Sequence, residues 1–529
     1  MASIDKNGST EKEVGLSTSI AIPAAGSQVT PIGNGASDLD RAFKYLQNVS
    51  HIGDVDTSSV DLAALRRRID LRILPVMCLC IFMLFLDKVN LNYAAVMGLN
   101  KDLKLRGNDF SNAATALFIA FLVCEVPNGF LLQRLPVAKW LGGTMIAWGI
   151  VTACTAATKD YTGLLTVRIF LGVFEASTAP CLMLISSQWY TRSEQIPRFT
   201  VWYCGNAIAQ MIGGVISYGF QFIGPRDSSL AGWRIMFLVL GIVTVLVGFL
   251  AGWTLPDTPM AAKWLDKVEK VEKVALLNHV GENRTGIENH RFKISQLVEL
   301  LLDVQMWLMI MITVSISISS RLIVTYSTTV IRNFGFSSKV SALLNTPSGA
   351  ISLIANIIVA YGIRSINRGH RWAWIVGCCL CGVGSGALLS FAPSTDKASM
   401  LGGIYLSSCV TPILILIEQW TMTNVAGQTK RAFASTLVAG SFCVGSIIGP
   451  ETFRAKDAPQ YHSAKLILLG TQAGGAALTL VLLAYYVWAN RRKDERQRRL
   501  MSEGVEINSL EHTWGNLTDK ENVEFRYAY

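Results

Sequence analysis

Residues Leu74–Ala94 read L-P-V-M-C-L-C-I-F-M-L-F-L-D-K-V-N-L-N-Y-A. Everything up to Leu86 is apolar, and then Asp87 and Lys88 stand side by side. A run of this kind is the core of a membrane span, since a hydrocarbon layer needs roughly 20 mostly apolar residues in a helix. A charge inside such a span costs at least about 2.5 kcal/mol on insertion scales, so these groups either pair or line a water-filled path.

The rest of the chain repeats the pattern. Of 529 residues, 51% are hydrophobic and 16% charged, against about 25% charged in a soluble globular chain. Twelve apolar runs are read at approximately 71–94, 110–133, 139–157, 161–187, 199–222, 233–254, 306–331, 338–363, 371–392, 399–421, 432–452 and 464–489. They are too long and too many for the core helices of a soluble protein, and backbone groups at membrane depth must be satisfied within each helix. The expected fold is therefore all-α and membrane-embedded.

Three polar regions lie outside the spans. Residues 1–65, rich in Ser, Gly, Asp and Thr, are expected to be a disordered cytosolic tail, with no signal-peptide pattern. Residues 66–254 form the first six-span bundle, 255–305 a linker, 306–490 the second bundle, and 491–529 a cytosolic tail opening on R-R-K-D-E-R-Q-R-R. Within the linker, A-A-K-W-L-D-K-V-E-K-V-E-K-V-A-L-L places Trp264, Leu265, Val268 and Val271 as the apolar face of a surface helix resting at the membrane interface.

An even span count puts both termini on one side. Roughly 25 Lys and Arg fall on the terminal side against roughly 12 on the other, which makes the terminal side cytosolic. The net charge of +10 is thereby accounted for without nucleic acid, for which no basic folded domain is visible. Most of the eleven cysteines sit in apolar spans; Cys378-Cys379-Leu380-Cys381 lacks ligand spacing, so no metal is expected. The glycosylation pattern at Asn283–Thr285 falls in the cytosolic loop. No phosphate-binding loop and no hydrolase or redox motif is present, so neither an enzyme nor a cofactor is expected.

The two halves correspond. Gly205, Ala209, Gly213 and Ser217 form a small-residue stripe in span five, and Ser441, Gly445 and Gly449 do so in span eleven, letting a neighbouring helix approach closely. Ahead of them stand W-Y-T-R-S-E-Q-I-P-R-F from Trp189 and W-T-M-T-N-V-A-G-Q-T-K-R-A-F from Trp420. Such duplication is typical of secondary transporters.

Several stretches then carry a specific likeness: L-D-K-V-N-L in span one, E-V-P-N-G-F-L-L-Q-R-L-P-V-A-K-W-L-G from Glu125, R-I-F-L-G-V-F-E-A from Arg168, G-W-R-I-M-F at 232–237 and L-P-D-T-P at 255–259. With them, residues 68–490 resemble the major facilitator superfamily, specifically the fungal allantoate permease branch of the anion:cation symporters. The resemblance implies two pseudo-symmetric six-helix bundles working by alternating access, with the first and fourth helix of each half lining a central cavity. Arg321 in span seven and Glu418 in span ten depart from the uncharged residues expected in that branch.

The charges in those four helices are the candidate site. Asp87 and Arg168 each lie about seven residues below the outer end of their span, so both are roughly 10 Å deep and can face each other. Glu175 follows Arg168 by seven residues, on nearly the same helix face. Asp87 is expected to pair with Arg168 or with Lys88. Arg168 and Arg321, one per half, are candidate ligands of a small anionic substrate, because a guanidinium fork matches a carboxylate. Trp202, Tyr326 and Trp420 are candidate aromatic walls. Glu175, Asp87 and Glu418 are the candidate proton-coupling carboxylates; Glu175 is favoured because it lies near mid-membrane with no adjacent lysine, and Asp87 then holds Arg168 in the empty carrier. The expected function is proton-coupled symport of a small organic anion by a monomer in the plasma membrane. An exporter or organellar carrier of an acidic metabolite, and a non-transporting nutrient sensor, are the alternatives.

Overall fold

The computed structural model describes residues 60–132, 135–223, 230–262, 264, 269–281, 293–365, 370–393, 396–453, 457, 461–503 and 517–529. The expectations for residues 1–59 and for the Asn283 glycosylation pattern lie outside them.

The first half contains α1 (Leu62–Met97), α2 (Asp109–Leu132), α3 (Val137–Cys154), α4 (Tyr161–Glu175) with α5 (Thr178–Trp189), α6 (Arg192–Tyr203) with α7 (Gly205–Phe220), and α8 (Gly232–Thr254). The linker holds α9 (Glu269–Gly281) and α10 (Ile294–Leu301). The second half contains α11 (Val304–Asn333), α12 (Ser338–Ser365), α13 (Arg371–Phe391), α14 (Lys397–Ser407) with α15 (Pro412–Asn424), α16 (Gln428–Glu451) and α17 (His462–Ser502). Ten of these segments are long and apolar enough to cross a membrane. With α2 and the α6–α7 pair they make the twelve expected spans. Large apolar side chains such as Leu246, Phe249, Trp253, Ile354 and Ile358 point outward and exposed, as a lipid-facing surface requires. The protein is a multi-pass membrane protein.

Helix ends follow local chemistry. Asp61 caps α1 by accepting from the amides of Ala63 and Ala64 at 2.8 and 3.2 Å, and Asp160 caps α4 through Gly163 at 2.8 Å. Gly98, with φ of 111°, closes α1 in a left-handed conformation.

Helix pairing repeats between the halves. Spans one and five pack together (α1 on α7), and so do seven and eleven (α11 on α16); spans three and six (α3 on α8) are matched by nine and twelve (α13 on α17). The small-residue stripes make the first of these contacts: a Cβ on Gly445 would lie 2.7 Å from the carbonyl oxygen of Val314, a distance no side chain tolerates. The halves meet where α7 packs on α12, α2 on α16 and α1 on α11.

At the ends of the first half's spans that lie on the linker's side, Arg198 grips Asp70 through two bonds of 2.6 and 2.7 Å. Arg66 reaches Glu194 at 2.7 Å, and His279 of the linker reaches the same carboxylate at 3.1 Å. Partial burial pushes the Glu194 carboxyl up, but the hydrogen bonds from His279, Thr191 and Arg66 outweigh it and hold it down at about 2. The linker packs against the first half. Its described helix, Glu269–Gly281, turns Val274, Ala275, Leu276 and Leu277 into the protein. Trp264 stacks on Trp189 at 5.8 Å instead of lying free at the interface, while Leu265 and Val268 lie outside the described residues. The C-terminal region also differs: α17 continues to Ser502, and residues 517–529 return to pack against the second half.

Candidate functional site

Spans four and ten, in corresponding places of the two halves, are both interrupted. Span four breaks between Glu175 and Thr178, span ten at Ser408–Val410. Discontinuous helices in matching positions point to a transporter's binding region, because a break frees backbone groups that only a protein-lined or wet site can satisfy.

At the first break lie the charges of the first half. The Arg168 guanidinium is 3.9 Å from Asp87, and the Lys88 ammonium is 3.6 Å from Glu175. All four are buried, Glu175 completely. The pairing settles which partner Asp87 takes: Arg168, not its neighbour Lys88. It also corrects the reason for favouring Glu175. No lysine is adjacent in sequence, but Lys88 reaches it from span one, and single-chain spacing carries no record of such a contact. Thr152 donates to Asp87 at 3.2 Å, whereas Glu175 and the Nε and Nη2 of Arg168 have no hydrogen-bond partner. The pairs are in ionic contact without a fixed hydrogen-bond geometry.

At the second break a polar cavity opens. Arg321 and Ser320 of α11 line it, with Ser407, Ser408 and Thr411 from span ten and Tyr203, Asn206 and Gln210 from span five. Gln472 of α17 and Ser319 also face it, joined by a 2.5 Å hydrogen bond; Thr411 donates to Ser352 at 3.0 Å. No carboxylate is among the lining residues. Arg321 is buried, its Nε has no hydrogen-bond partner, and no carboxylate lies within ion-pair distance of it among the described residues. Its guanidinium instead rests over the rings of Phe442 and Phe118, at 4.8 and 5.4 Å. Phe118 also lies 5.9 Å from the Lys88 ammonium, so one ring stands between the two charge sites.

The remaining candidates separate. Tyr326 lies towards the outer side, stacked on Phe453 at 4.0 Å and edge-on to Phe110 at 5.4 Å. Trp202 packs against Phe199 at 4.3 Å in the core of the first half, while its neighbour Tyr203 faces the cavity. Trp420 is fully buried, and its indole donates to the carbonyl of Ala528 at 2.8 Å; it meets the C-terminal segment, not the cavity. Glu418 is half-buried, with Glu125 and Tyr203 as its electrostatic neighbours. Arg168 and Arg321 are therefore not on one wall. The sequence reading missed the hydroxyl and amide lining. The signal was available in Tyr203, Asn206 and Gln210, spaced along one helix face, and in the Ser407-Ser408 and Thr411 cluster.

Several contacts close the halves on the side away from the linker. Asn92 donates to Ser327 at 2.9 Å and accepts from Thr328 at 2.5 Å. Asn345 donates to Tyr93 at 3.0 Å, and Thr115 donates to Glu451 at 3.0 Å. With the Phe110–Tyr326–Phe453 stack they join the halves on that side of the cavity.

Residues 77–450 match the profile of the Major Facilitator Superfamily. The chain is 37% identical to the thiamine pathway transporter of Saccharomyces cerevisiae, over 88% of this chain and 86% of that protein. It is 29% identical to the allantoate permease of the same yeast, over 100% and 98%. Among solved structures, a D-xylose–proton symporter superposes with a TM-score of 0.57 at 14% identity, covering 77% of this chain and 97% of that one. A bacterial homologue of the human lysosomal transporter Spinster, inward-facing, superposes with a TM-score of 0.56 at 13% identity, covering 79% and 96%.

Proposed function

Because the chain belongs to the major facilitator superfamily, and is thus a membrane transporter and not an enzyme, we propose that it carries a small organic anion together with a proton. The observation that supports this reading is Arg321, a buried cation on the cavity wall with no carboxylate within ion-pair distance among the described residues. A carboxylate there gains a charge-assisted, forked contact. The hydroxyl and amide lining suits a cargo whose remaining groups are polar and uncharged. A cationic cargo finds no carboxylate among the lining residues. That the relatives include an allantoate permease agrees with an anionic cargo.

The proton is assigned to Glu175. Arg321 lies across the Phe118 ring from Lys88, the partner of Glu175, so an anion bound at Arg321 makes the surroundings of that carboxylate less positive, and proton and anion favour each other's binding. Protonated Glu175 releases Lys88, and Asp87 keeps Arg168 neutralised in the empty carrier. Glu418 is the next candidate for coupling. The plasma membrane is the proposed location.

The test is uptake into proteoliposomes under an acid-outside gradient, with labelled allantoate, hydroxy acids and amide-bearing acids, and thiamine as the cationic control. Accumulation of an anion is expected. The Glu175→Gln protein should exchange that anion but no longer concentrate it. Accumulation of the cation alone, or an undiminished gradient with Glu175→Gln, contradicts the proposal.

A further inference from the structure

The segment 517–529 makes a set of contacts that transport chemistry does not explain. Asp519 is wholly buried; it accepts from Lys430 at 2.6 Å, from Gln305 at 3.1 Å and from the Tyr527 hydroxyl at 2.7 Å. Lys430, also fully buried, donates to Glu299 and Asp303 at 2.8 Å each. Its ammonium stands at the centre of the three carboxylates, where a metal ion would otherwise sit. The tail backbone is read by side chains: Asn490 bonds both the amide and the carbonyl of Tyr527, at 2.9 and 3.0 Å. Asn424 does the same for Ala528, at 2.7 and 2.9 Å, beside the Trp420 indole. The Tyr527 ring stacks on Tyr486 at 5.1 Å, and the Arg371 amide donates to the last carbonyl, of Tyr529, at 3.0 Å. These partners come from the cytosolic ends of α11, α13, α15, α16 and α17.

The first half holds a counterpart. Trp189, which matches Trp420 in the repeated stretch, is covered by Trp264 of the linker. Arg198 grips Asp70 at the start of span one, as Lys430 grips Asp303 at the start of span seven. In each half an extramembrane segment covers the tryptophan that ends the fourth span.

We infer that residues 517–529 are a clasp that positions the cytosolic end of span ten, doing for the second half what the linker does for the first. Span ten carries the Ser407–Thr411 cavity wall at one end and Trp420 and Asn424 at the other, so releasing the clasp loosens a cavity helix. Because Asn424, Trp420 and Lys430 all bind the tail, the tail and residues 418–431 open as one unit. This inference does not rest on the nature of the cargo.

The test is hydrogen exchange on the full-length protein in lipid nanodiscs, wild type against Asp519→Asn, Tyr527→Ala and Tyr527→Phe. The wild-type tail should be protected. Asp519→Asn and Tyr527→Ala should speed exchange about ten-fold at 517–529 and several-fold at 418–431, with the first half unchanged. Tyr527→Phe, which keeps the ring stack, should restore most of the protection. An unprotected wild-type tail overturns the inference, and so does a released tail that leaves 418–431 unmoved. Should the variants not fold, the wild type decides on warming: the tail and 418–431 must lose protection together, and separate loss contradicts the clasp.

Discussion

In the first half, Asp87, Lys88, Arg168 and Glu175 sum to no net charge and are buried in two ion pairs. In the second half, Arg321 is equally buried but faces a wall of hydroxyls and amides with no acid. Both arginines sit in helices expected to line the cavity, yet their surroundings assign them different work. A neutral, sealed cluster can take up and release a proton by rearranging its partners. A guanidinium on a cavity wall without a carboxylate beside it is the group we propose binds the anion. The burial of Arg168 is offset inside the protein; on the proposed reading, that of Arg321 is offset when an anionic cargo binds.

The sharpest way to break this comparison is to remove one member of a pair. Arg168→Gln leaves Asp87 buried and unpaired, and the expected loss of stability is about 3–5 kcal/mol. It would be read as lower thermal stability in detergent and poor membrane yield. The double variant Asp87→Asn with Arg168→Gln should recover most of that loss while transport stays impaired. If the single variant is as stable as wild type, the pair does not hold the first half together.

Arg321→Gln should act in the other sense. A hydrogen bond to a charged group contributes about 1.5–3 kcal/mol, so affinity for the transported anion should fall roughly ten- to a hundred-fold, with stability unchanged or raised. Ligand-induced thermal shifts would show this.

Smaller effects belong to the polar wall. Thr411→Val and Ser319→Ala each remove one hydroxyl, and about 1 kcal/mol per bond corresponds to roughly five-fold weaker binding. Equal binding by both variants would mean that the cargo's polar groups lie elsewhere.

The smallest effect concerns the linker. Glu194 titrates near 2 instead of its ordinary 4.5. A carboxylate lowered by folding stabilises above its unfolded value and loses that contribution as pH falls through the folded one. The linker contact should therefore be intact at pH 5 and loosen between about 4.5 and 2. Protease nicking of the linker across that window would measure it, and nicking that rises already between pH 7 and 5 would assign the contact to another group.

Much of this was legible in the residues. Leu74–Ala94 fixed the membrane class, the apolar runs the twelve spans, and the matching stripes at Gly205 and Gly445 the duplicated packing. Depth along the helices brought Asp87 opposite Arg168. What stayed hidden were contacts between distant segments. Lys88 reaches Glu175 across two spans, and Trp420 is claimed by Ala528, which lies 108 residues away along the chain. In the last thirteen residues Val523, Phe525, Tyr527 and Tyr529 alternate with other residues and hint at a packed face, but nothing local marks Asp519 as buried. The cavity lining was overlooked because attention to rare charges passes over common serines.

The most direct test of the division between the halves is one paired measurement on Arg168→Gln and Arg321→Gln: thermal stability without cargo, and the thermal shift produced by the transported anion. The account predicts that Arg168→Gln lowers the stability of the empty protein, whereas Arg321→Gln leaves it unchanged or higher and moves the anion's shift to roughly ten- to a hundred-fold higher concentrations. If Arg321→Gln destabilises the empty protein as much as Arg168→Gln and still responds fully to the anion, Arg321 is a structural charge and the anion site lies elsewhere.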